Sequence, residues 1–261
     1  MFGTSHDFIA SEIPTILSTE GYEVSALDPL TLQETGTKIT MPATGHGIRP
    51  VFNGKNYVLF YGYLTSNTGM LYKTDGKTIE SLDLDIRPHH FQDTHQVFDD
   101  RLVFYGDGGV GLFDDRTGTA EKLRGEDTYS TSVLDGKLYY VPDENYMLSP
   151  YEPFVGGHKA YQLAADGSVT LLTEVDPRYC IAISRVRAIE GDTVYFESDM
   201  EYQESMDLWG DMTAQFSIQN SRMKFIDSNY PDWESVIKRR LEEHQAEIDA
   251  TEKEANNGEK S

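Results

Sequence analysis

Short runs of alternating apolar and polar residues recur along most of this chain, and turn residues separate them. The clearest copy is LYKTDGKTI at residues 71–79, where an Asp-Gly pair ending at Gly76 stands between two strand-like runs. A second copy is YQLAADGSVTL at residues 161–171, with the corresponding pair ending at Gly167. Asp-Gly supplies the positive φ angles of a two-residue type I′ turn. Both segments therefore predict antiparallel β-hairpins.

The hairpin recurs at a nearly constant interval. Looser copies turn at Thr35-Gly36, Thr117-Gly118 and Asn220-Ser221. The five turn positions 36, 76, 118, 167 and 220 are separated by 40, 42, 49 and 53 residues. A repeat of about 40 to 50 residues made of short strands is typical of β-propeller blades.

A second repeated element precedes each clear hairpin: a short apolar strand, a two-residue turn and an aromatic-rich strand. Its copies begin at Val51, Val97, Val133 and Ala188. Together with the hairpin, each copy makes four antiparallel strands, which is one blade. We predict an all-β chain with a single β-propeller over residues 1–228, most simply of five four-stranded blades. The predicted blades span about 5–44, 46–87, 88–126, 127–177 and 178–228. A four-bladed ring with an N-terminal extension is the alternative, because the first copy is the least regular.

The period changes at Pro231. Apolar residues then recur at three- and four-residue spacing, which predicts an α-helix over 229–250. Residues 251–261 are rich in Glu, Lys, Asn and Gly, which predicts a disordered acidic tail. We expect the narrow apolar stripe of the helix either to dock on the propeller or to contact a partner in an assembly. The candidate partner-binding residues are Trp233, Ile237, Leu241 and Ile248.

Charge and composition restrict the possible partners. The 261-residue chain has a net charge of −22 and a pI near 4.5, which argues against binding nucleic acid or anionic membranes. Its one cysteine, Cys180, excludes an intrachain disulfide. The N-terminus does not have the pattern of a signal peptide, and no apolar run is long enough to span a bilayer. We expect a soluble protein, cytoplasmic or part of an assembled particle, without a cofactor.

Two phrases resemble repeats of bacterial β-propeller proteins. VLDGKLYY at residues 133–140 is similar to their "NGKLYF" strands, and GMLYKTDGKT at residues 69–78 is similar to their "LWKTDGT" hairpins. The resemblance covers about residues 46–175. It implies a propeller scaffold and no particular activity, so function has to be argued from a site.

Blades four and five contain insertions at residues 143–157 and 199–210, both between the second and third strands. Connections of that kind project from one rim of a propeller, so we expect the insertions to share a face. Aromatic loops on a rigid scaffold are common binding surfaces. The alternative is that they cover the edge of a neighbouring blade. The candidate ligand-binding residues here are Tyr146, Tyr151, Phe154, Tyr202 and Trp209.

A second candidate site is the mouth of the predicted central channel, which the first strand of each blade lines. Aligned blades bring polar residues there, namely His46, Arg49, Asp93, His95, Tyr129 and Arg185. Three interpretations are open. These side chains hydrogen-bond with one another and with buried water, or they form a ligand pocket without chemistry, or they support catalysis or a metal site. A zinc or iron site would use His6, His46, His95 and Asp93, but their spacing matches no compact metal motif, so no metal site is predicted.

Catalysis is the alternative to binding. Five-bladed propellers include glycosidases, which need two carboxylates about 5 to 10 Å apart. The candidates are Asp7 and Asp93, with Glu12 or Glu197 as the acid. A nucleophile elbow and a phosphate-binding loop are both missing from the sequence. We therefore favour a non-enzymatic binding or assembly module that recognises a protein or a glycan, with a carbohydrate-active enzyme as the alternative.

Overall fold

The computed structural model describes most of the chain outside several loops. The described residues are 7–10, 16–20, 23–27, 34–40, 48–63, 69–76, 78–88, 96–144, 154–179, 181–205, 208–220, 222–229 and 231–258. The chain divides into two compact units, residues 1–128 and 129–261. The division lies two residues beyond the predicted junction between blades three and four.

The first unit contains three antiparallel sheets. Its strands are β1 (Asp7–Ala10), β2 (Ile16–Glu20), β3 (Glu23–Leu27), β4 (Glu34–Thr40), β5 (Ile48–Asn53), β6 (Val58–Tyr63), β7 (Gly69–Thr74), β8 (Ile79–Leu82), β9 (Arg87–Pro88), β10 (Val97–Phe98), β11 (Arg101–Asp107), β12 (Gly109–Asp114) and β13 (Thr119–Arg124). Sheet 1 has the order β1-β2-β3-β4 and sheet 2 the order β5-β6-β7-β8. Sheet 3 has the order β10-β11-β12-β13, and β9 also pairs with β11.

The turns of these hairpins differ from the prediction. Gly76 has a φ of 83°, but Asp75 is not left-handed, and Thr74 pairs with Ile79 across a four-residue loop. Type I′ geometry requires two consecutive positive φ angles. The turn at Asp99 and Asp100 fits this geometry, because their φ angles are 51° and 57°. The predicted type I′ turn at the Asp75-Gly76 pair was therefore wrong, although the hairpin itself is present.

The second unit contains two sheets and a helix. Its elements are β14 (Thr128–Leu134), β15 (Lys137–Pro142), β16 (Phe154–Val155), β17 (Lys159–Leu163), β18 (Val169–Glu174), a 3-10 turn (Pro177–Tyr179), β19 (Arg185–Glu190), β20 (Thr193–Ser205), β21 (Leu208–Gln219), β22 (Arg222–Ser228) and α1 (Pro231–Gly258). Sheet 4 has the order β14-β15-β17-β18. Sheet 5 has the order β16-β20-β21-β22, and β19 pairs with β20 on the same side as β16.

Stacked aromatic rings and aliphatic side chains form the core of each unit. In the first unit, Phe104 and Phe113 are buried with Leu59 and Leu71 of sheet 2. In the second unit, the buried cluster is larger and includes residues from sheets 4 and 5 and from the helix. Burial alternates along the strands because successive side chains point to opposite faces of a sheet.

Helix α1 is part of this second core. Ile237 and Leu241 are 4% and 8% exposed and belong to the same buried cluster as Tyr179 and Met223. The Tyr179 hydroxyl also donates a hydrogen bond to Gln245 Oε1 at 2.6 Å. The assignment of Ile237 and Leu241 to a partner was therefore wrong, because their apolar surface is used within the fold.

The helix also continues beyond its predicted end at residue 250. It reaches Gly258, so the predicted disordered tail is helical over residues 251–258. The Thr251 hydroxyl donates to the Glu247 carbonyl at 2.9 Å, one turn earlier. The sequence Glu-Lys-Glu-Ala that follows Thr251 has high helix propensity, which explains why the helix extends.

The predicted fold class is confirmed: the chain is all-β, with four-stranded antiparallel sheets of the β-propeller type and a C-terminal helix. Five antiparallel sheets lie in the described residues, three with four strands and two with a fifth, which fits the predicted number of blades. Their closure into one ring, and the blade boundaries assigned from the sequence, stay predictions.

Candidate functional site

The two insertions predicted from the sequence, at residues 143–157 and 199–210, meet in sheet 5. The segment Phe154–Val155, which belongs to the insertion after β15, pairs antiparallel with β20, where Phe154 lies opposite Met200 and Val155 opposite Asp199. The two insertions therefore meet in one sheet, while their shared position on one rim of a ring stays a prediction.

The second insertion is not a loop. Strands β20 and β21 pair continuously from Val194 opposite Ile218 to Ser205 opposite Leu208. At 13 and 12 residues, they are the longest strands described. We call residues 200–212 the ribbon. The pairing between β21 and β22 ends at Ala214 opposite Ser228, so the ribbon extends past the four-stranded part of the sheet.

Two glycines allow the first insertion to reach sheet 5. The Gly157 amide donates to the Ile183 carbonyl at 3.0 Å, and the Ile183 amide donates to the Gly157 carbonyl at 2.7 Å. Gly156 has a φ of 124°, and a Cβ at that position would lie 2.1 Å from the Ile183 carbonyl oxygen. Only glycine fits this crossing without moving the backbone.

Asn229 closes the pairing at the base of the ribbon. The Thr213 amide donates to Asn229 Oδ1 at 2.9 Å, and the Asn229 amide donates to the Thr213 carbonyl at 3.2 Å. Helix α1 begins two residues later at Pro231, where proline suits the first helical turn. The chain therefore leaves the sheet at this point and does not follow β21 along the ribbon.

A polar cleft of about 370 Å³ lies beside Thr213. Its lining residues are Arg187, Glu197, Thr213, Gln215, Asp227, Ser228 and Asn229. Gln215 is opposite both Glu197 on β20 and Asp227 on β22, so these three residues form a row across the sheet. The cleft therefore combines two carboxylates with amide and hydroxyl groups.

An ion pair fixes one side of the cleft. Arg187 is the extra residue of a β-bulge in β19, between Val186 opposite Phe196 and Ala188 opposite Tyr195. Its guanidinium lies 2.5 Å from Glu197 Oε2, where the side chain of Glu197 is only 12% exposed. A bulge redirects the side chain of its extra residue. Arg187 thus supplies the positive charge that a nearly buried carboxylate requires.

Asp199 is the second carboxylate of this strand. Burial raises its pKa above the usual value, a hydrogen bond from Thr213 works in the opposite direction, and the nearby charge of Glu197 adds to the rise. The Thr213 hydroxyl lies 2.9 Å from Asp199 Oδ1, and the Asp199 amide donates to Ser184 Oγ at 2.6 Å. Asp199 therefore connects the base of the ribbon to the chain that enters β19.

The site residues predicted from the sequence, at the channel mouth, in the insertions and in the helix, are only partly described. His6, His46, Asp93, His95, Tyr146 and Tyr151 lie outside the described residues, as does Glu12. Arg49 lies on β5 opposite Tyr61, and Asp7 lies on β1 opposite Thr19. Phe154 lies on β16, while Tyr202 and Trp209 lie in the ribbon opposite Gly210 and Gln203. Trp233 and Ile248 are in α1.

Tyr129 and Arg185 lie on strands that serine side chains connect. Ser130 Oγ donates to the Ser184 carbonyl, and Ser132 Oγ donates to the Val186 carbonyl at 2.7 Å. These buried hydroxyls tie β14 to β19 within the second unit. The roles assigned to Tyr129 and Arg185 at a channel mouth stay predictions.

Among the candidate catalytic residues, Glu197 is the one whose side chain is described, and Arg187 binds it. The sequence pattern did not predict a role for Asp199, Thr213 or Asn229. A signal for Asp199 existed, because it lies two residues after Glu197 and therefore on the same face of a strand. The described residues contain no group of three or more His, Cys, Asp or Glu side chains arranged to hold a metal ion.

The chain matches no protein-family model and no curated protein. Among solved structures, it is similar to one chain in a structure of S. cerevisiae Dbp5 bound to Nup159 and Gle1, at 11% identity and a TM-score of 0.40. That match covers 86% of this chain but 61% of the other, so this chain spans less than two thirds of that protein. The fold class described above rests on the strand order of this chain itself.

Two further similar structures are a Myceliophteria thermophila Cps50 (Swd1) β-propeller domain and a putative TolB from Agrobacterium tumefaciens. The first has 13% identity and a TM-score of 0.36, with 82% of this chain and 69% of that chain covered. The second has 15% identity and a TM-score of 0.35, with 87% and 83% covered.

In the part of the chain that the structure describes, no helix combines the length and the apolar character needed to cross a membrane.

Proposed function

We propose that the protein is a non-enzymatic binding or assembly module that recognises a partner protein through the ribbon and the cleft beside it. The observation that carries this proposal is the pairing of Phe154–Val155 with β20, because it joins two blade insertions into one sheet. Insertions that a rigid sheet holds in register with each other are suited to contacting another molecule.

The ribbon itself favours a partner. A two-stranded hairpin is marginally stable in water without a third strand or a packed face. Residues 201–205 and 208–212 pair with each other beyond the ends of β19 and β22. A protein bound there would supply the missing packing, and the rigid sheet below would hold the ribbon in position.

The polar groups at the base of the ribbon favour binding over catalysis. Glu197 is bound by Arg187, and Asp199 accepts a hydrogen bond from Thr213. A glycosidase needs one carboxylate that is free to attack or to activate water and another that donates a proton. Here both carboxylates have partners within the fold, so they stabilise the sheet and shape its surface.

The proposal is tested by shortening the ribbon. Met200 lies opposite Met212, so an Asn-Gly turn that replaces residues 201–211 would close the hairpin at the end of the four-stranded sheet. A photo-crosslinking residue at Gln203 in the full-length protein captures the partner, and one at the exposed Lys224 of β22 serves as the control. The captured protein is then purified, and its affinity for both forms is measured.

We expect crosslinking at position 203 and loss of affinity in the shortened variant, with the unfolding transition of the sheet retained. Unchanged affinity of the shortened variant, or equal capture at positions 203 and 224, would contradict the proposal. A glycan as the recognised partner would be revealed by binding of the full-length protein to a glycan array in the absence of any captured protein.

A further inference from the structure

One edge of the ribbon offers backbone groups to another strand. Thr213 directs both its amide and its carbonyl toward Asn229, on the β22 side of β21. Backbone groups alternate along a strand, so Asp211 and Trp209 present their N–H and C=O groups at this same edge. Among the described residues, no strand pairs with this edge from Leu208 to Met212.

The sequence of the ribbon and its base determines which strand suits this edge. Residues 199–212 contain five acidic residues and no Lys or Arg. The register also places Glu201 directly opposite Asp211, and like charges opposite each other destabilise a strand pair. The adjacent cleft adds the carboxylate of Asp227, while its other carboxylate, Glu197, is already paired with Arg187. A positively charged partner relieves this repulsion.

We propose that the partner contributes an extended basic peptide segment that pairs with β21 from Leu208 to Met212. The segment forms backbone hydrogen bonds with Trp209 and Asp211, and its Lys or Arg side chain nearest Thr213 enters the cleft. This inference rests on the proposed function and specifies its partner. A second copy of this chain is a poor occupant of the edge, because its ribbon would bring the same negative charge.

When a peptide is added to a sheet as a strand, its backbone hydrogen bonds provide affinity and its side chains provide specificity. The two contributions can therefore be tested independently. The probe is a capped ten-residue peptide of alternating Lys and Thr, titrated into the full-length protein by calorimetry. The controls are the same peptide with every backbone amide methylated, which keeps the charge but removes the donors at both edges, and an alternating Glu-Thr peptide. We expect binding of the first peptide, roughly tenfold weaker binding of the methylated one, and none of the acidic one.

Variants of the protein test the same two contributions. Asp211→Pro removes the outward amide, while Asp211→Asn retains it and removes only the charge. Asp192→Asn makes the same charge change at an exposed turn of the second unit, away from the ribbon. We expect the Lys-Thr affinity to fall by roughly tenfold in Asp211→Pro, less in Asp211→Asn, and to stay unchanged in Asp192→Asn.

Equal binding of the methylated and unmethylated peptides would overturn the inference, because it would show attraction by charge alone. Absence of Lys-Thr binding would also overturn it. The methylated peptide acts on the unaltered protein, so this arm remains decisive if Asp211→Pro does not fold. If shortening the ribbon abolishes affinity for the captured partner while the Lys-Thr peptide fails to bind, the proposed function stands and this inference falls.

Discussion

The carboxylate of Asp115 binds the backbone amide of Asn56, which lies in a turn of the neighbouring sheet, at 3.2 Å. The same carboxylate accepts the amides of Lys55 and Tyr57, each at 3.0 Å. One side chain from the end of β12 thus satisfies three consecutive donors of the turn between β5 and β6. Sheets 2 and 3 are joined in this way at their turns as well as through their apolar faces.

Replacing Asp115 by Ala should weaken this junction. Three amides would lose a charged acceptor, but water can reach the turn, so we expect a loss of about 1 to 3 kcal/mol in the free energy of unfolding. Asp83→Ala, at an exposed aspartate of the same unit, should change it by less than about 0.5 kcal/mol. Urea titration measures both. Equal effects of the two substitutions would show that the three hydrogen bonds contribute nothing.

Gly156 should tolerate no side chain. A Cβ there would meet the Ile183 carbonyl at 2.1 Å, with a φ of 124°, so Gly156→Ala should cost about 3 kcal/mol or more. Gly191 has a φ of 58° and open space around its Cβ position, so Gly191→Ala should cost only about 1 to 2 kcal/mol. Chemical denaturation compares the two. A Gly156→Ala variant as stable as Gly191→Ala would mean that the segment does not cross sheet 5 as described.

Leu241 should behave as a core residue although it lies in the C-terminal helix. It is 8% exposed, so Leu241→Ala should lower the free energy of unfolding by about 2 to 4 kcal/mol. The matched control is Leu171→Ala, because Leu171 is 50% exposed and should lose less than about 0.5 kcal/mol. If Leu241→Ala instead dissociated an oligomer and left the stability of the monomer unchanged, the helix would be an attachment element as first predicted.

The sequence predicted the repeated hairpins because the alternation of apolar and polar residues is a local property. It failed where two distant segments decide the structure. The stripe containing Leu241 predicted a helix but not the surface that covers it, because that surface comes from Tyr179 and Met223. In the same way, the insertion at 143–157 carries no local sign that Phe154 pairs with Met200.

The candidate site shows the same limit. Glu197 was singled out as an acid, but the Arg187 that binds it is placed by a β-bulge, and bulges depend on the register of two strands. The ribbon could have been recognised, because strand-like residues continue through the insertion from Asp199. The role of Asn229 is tertiary, since its side chain accepts the amide of Thr213 sixteen positions away.

Asp199 should give the stability of the protein a distinct pH dependence. Burial raises its pKa in the folded state, so in the window above the usual aspartate pKa of 3.8 the folded state binds more protons than the unfolded state. Stability then falls as pH rises through this window. Asp199→Asn removes the effect and keeps an acceptor for Thr213, so the variant should gain stability relative to the wild type as pH increases.

Asp166→Asn provides a control of opposite sign. Hydrogen bonds from Ser168 lower the pKa of Asp166, so its contribution to stability is present above the usual aspartate pKa of 3.8 and is lost as pH falls through the folded-state pKa. Denaturant titrations of both variants from pH 3 to pH 8 give the two slopes. Parallel curves for Asp199→Asn and the wild type would mean that Asp199 is not buried at the base of the ribbon.

The ion pair between Arg187 and Glu197 should contribute modestly to stability. Arg187 is 48% exposed, so solvent screens the pair, and a double-mutant cycle of Arg187→Met and Glu197→Gln should give a coupling energy of about 1 kcal/mol. Glu197→Gln alone should cost more than this coupling, because it also disturbs a nearly buried group beside the cleft. Zero coupling would indicate that Arg187 points into solvent. If the wild type cleaved a chromogenic glycoside and Glu197→Gln did not, Glu197 would be a catalytic acid, and the carbohydrate-active alternative would replace the binding module.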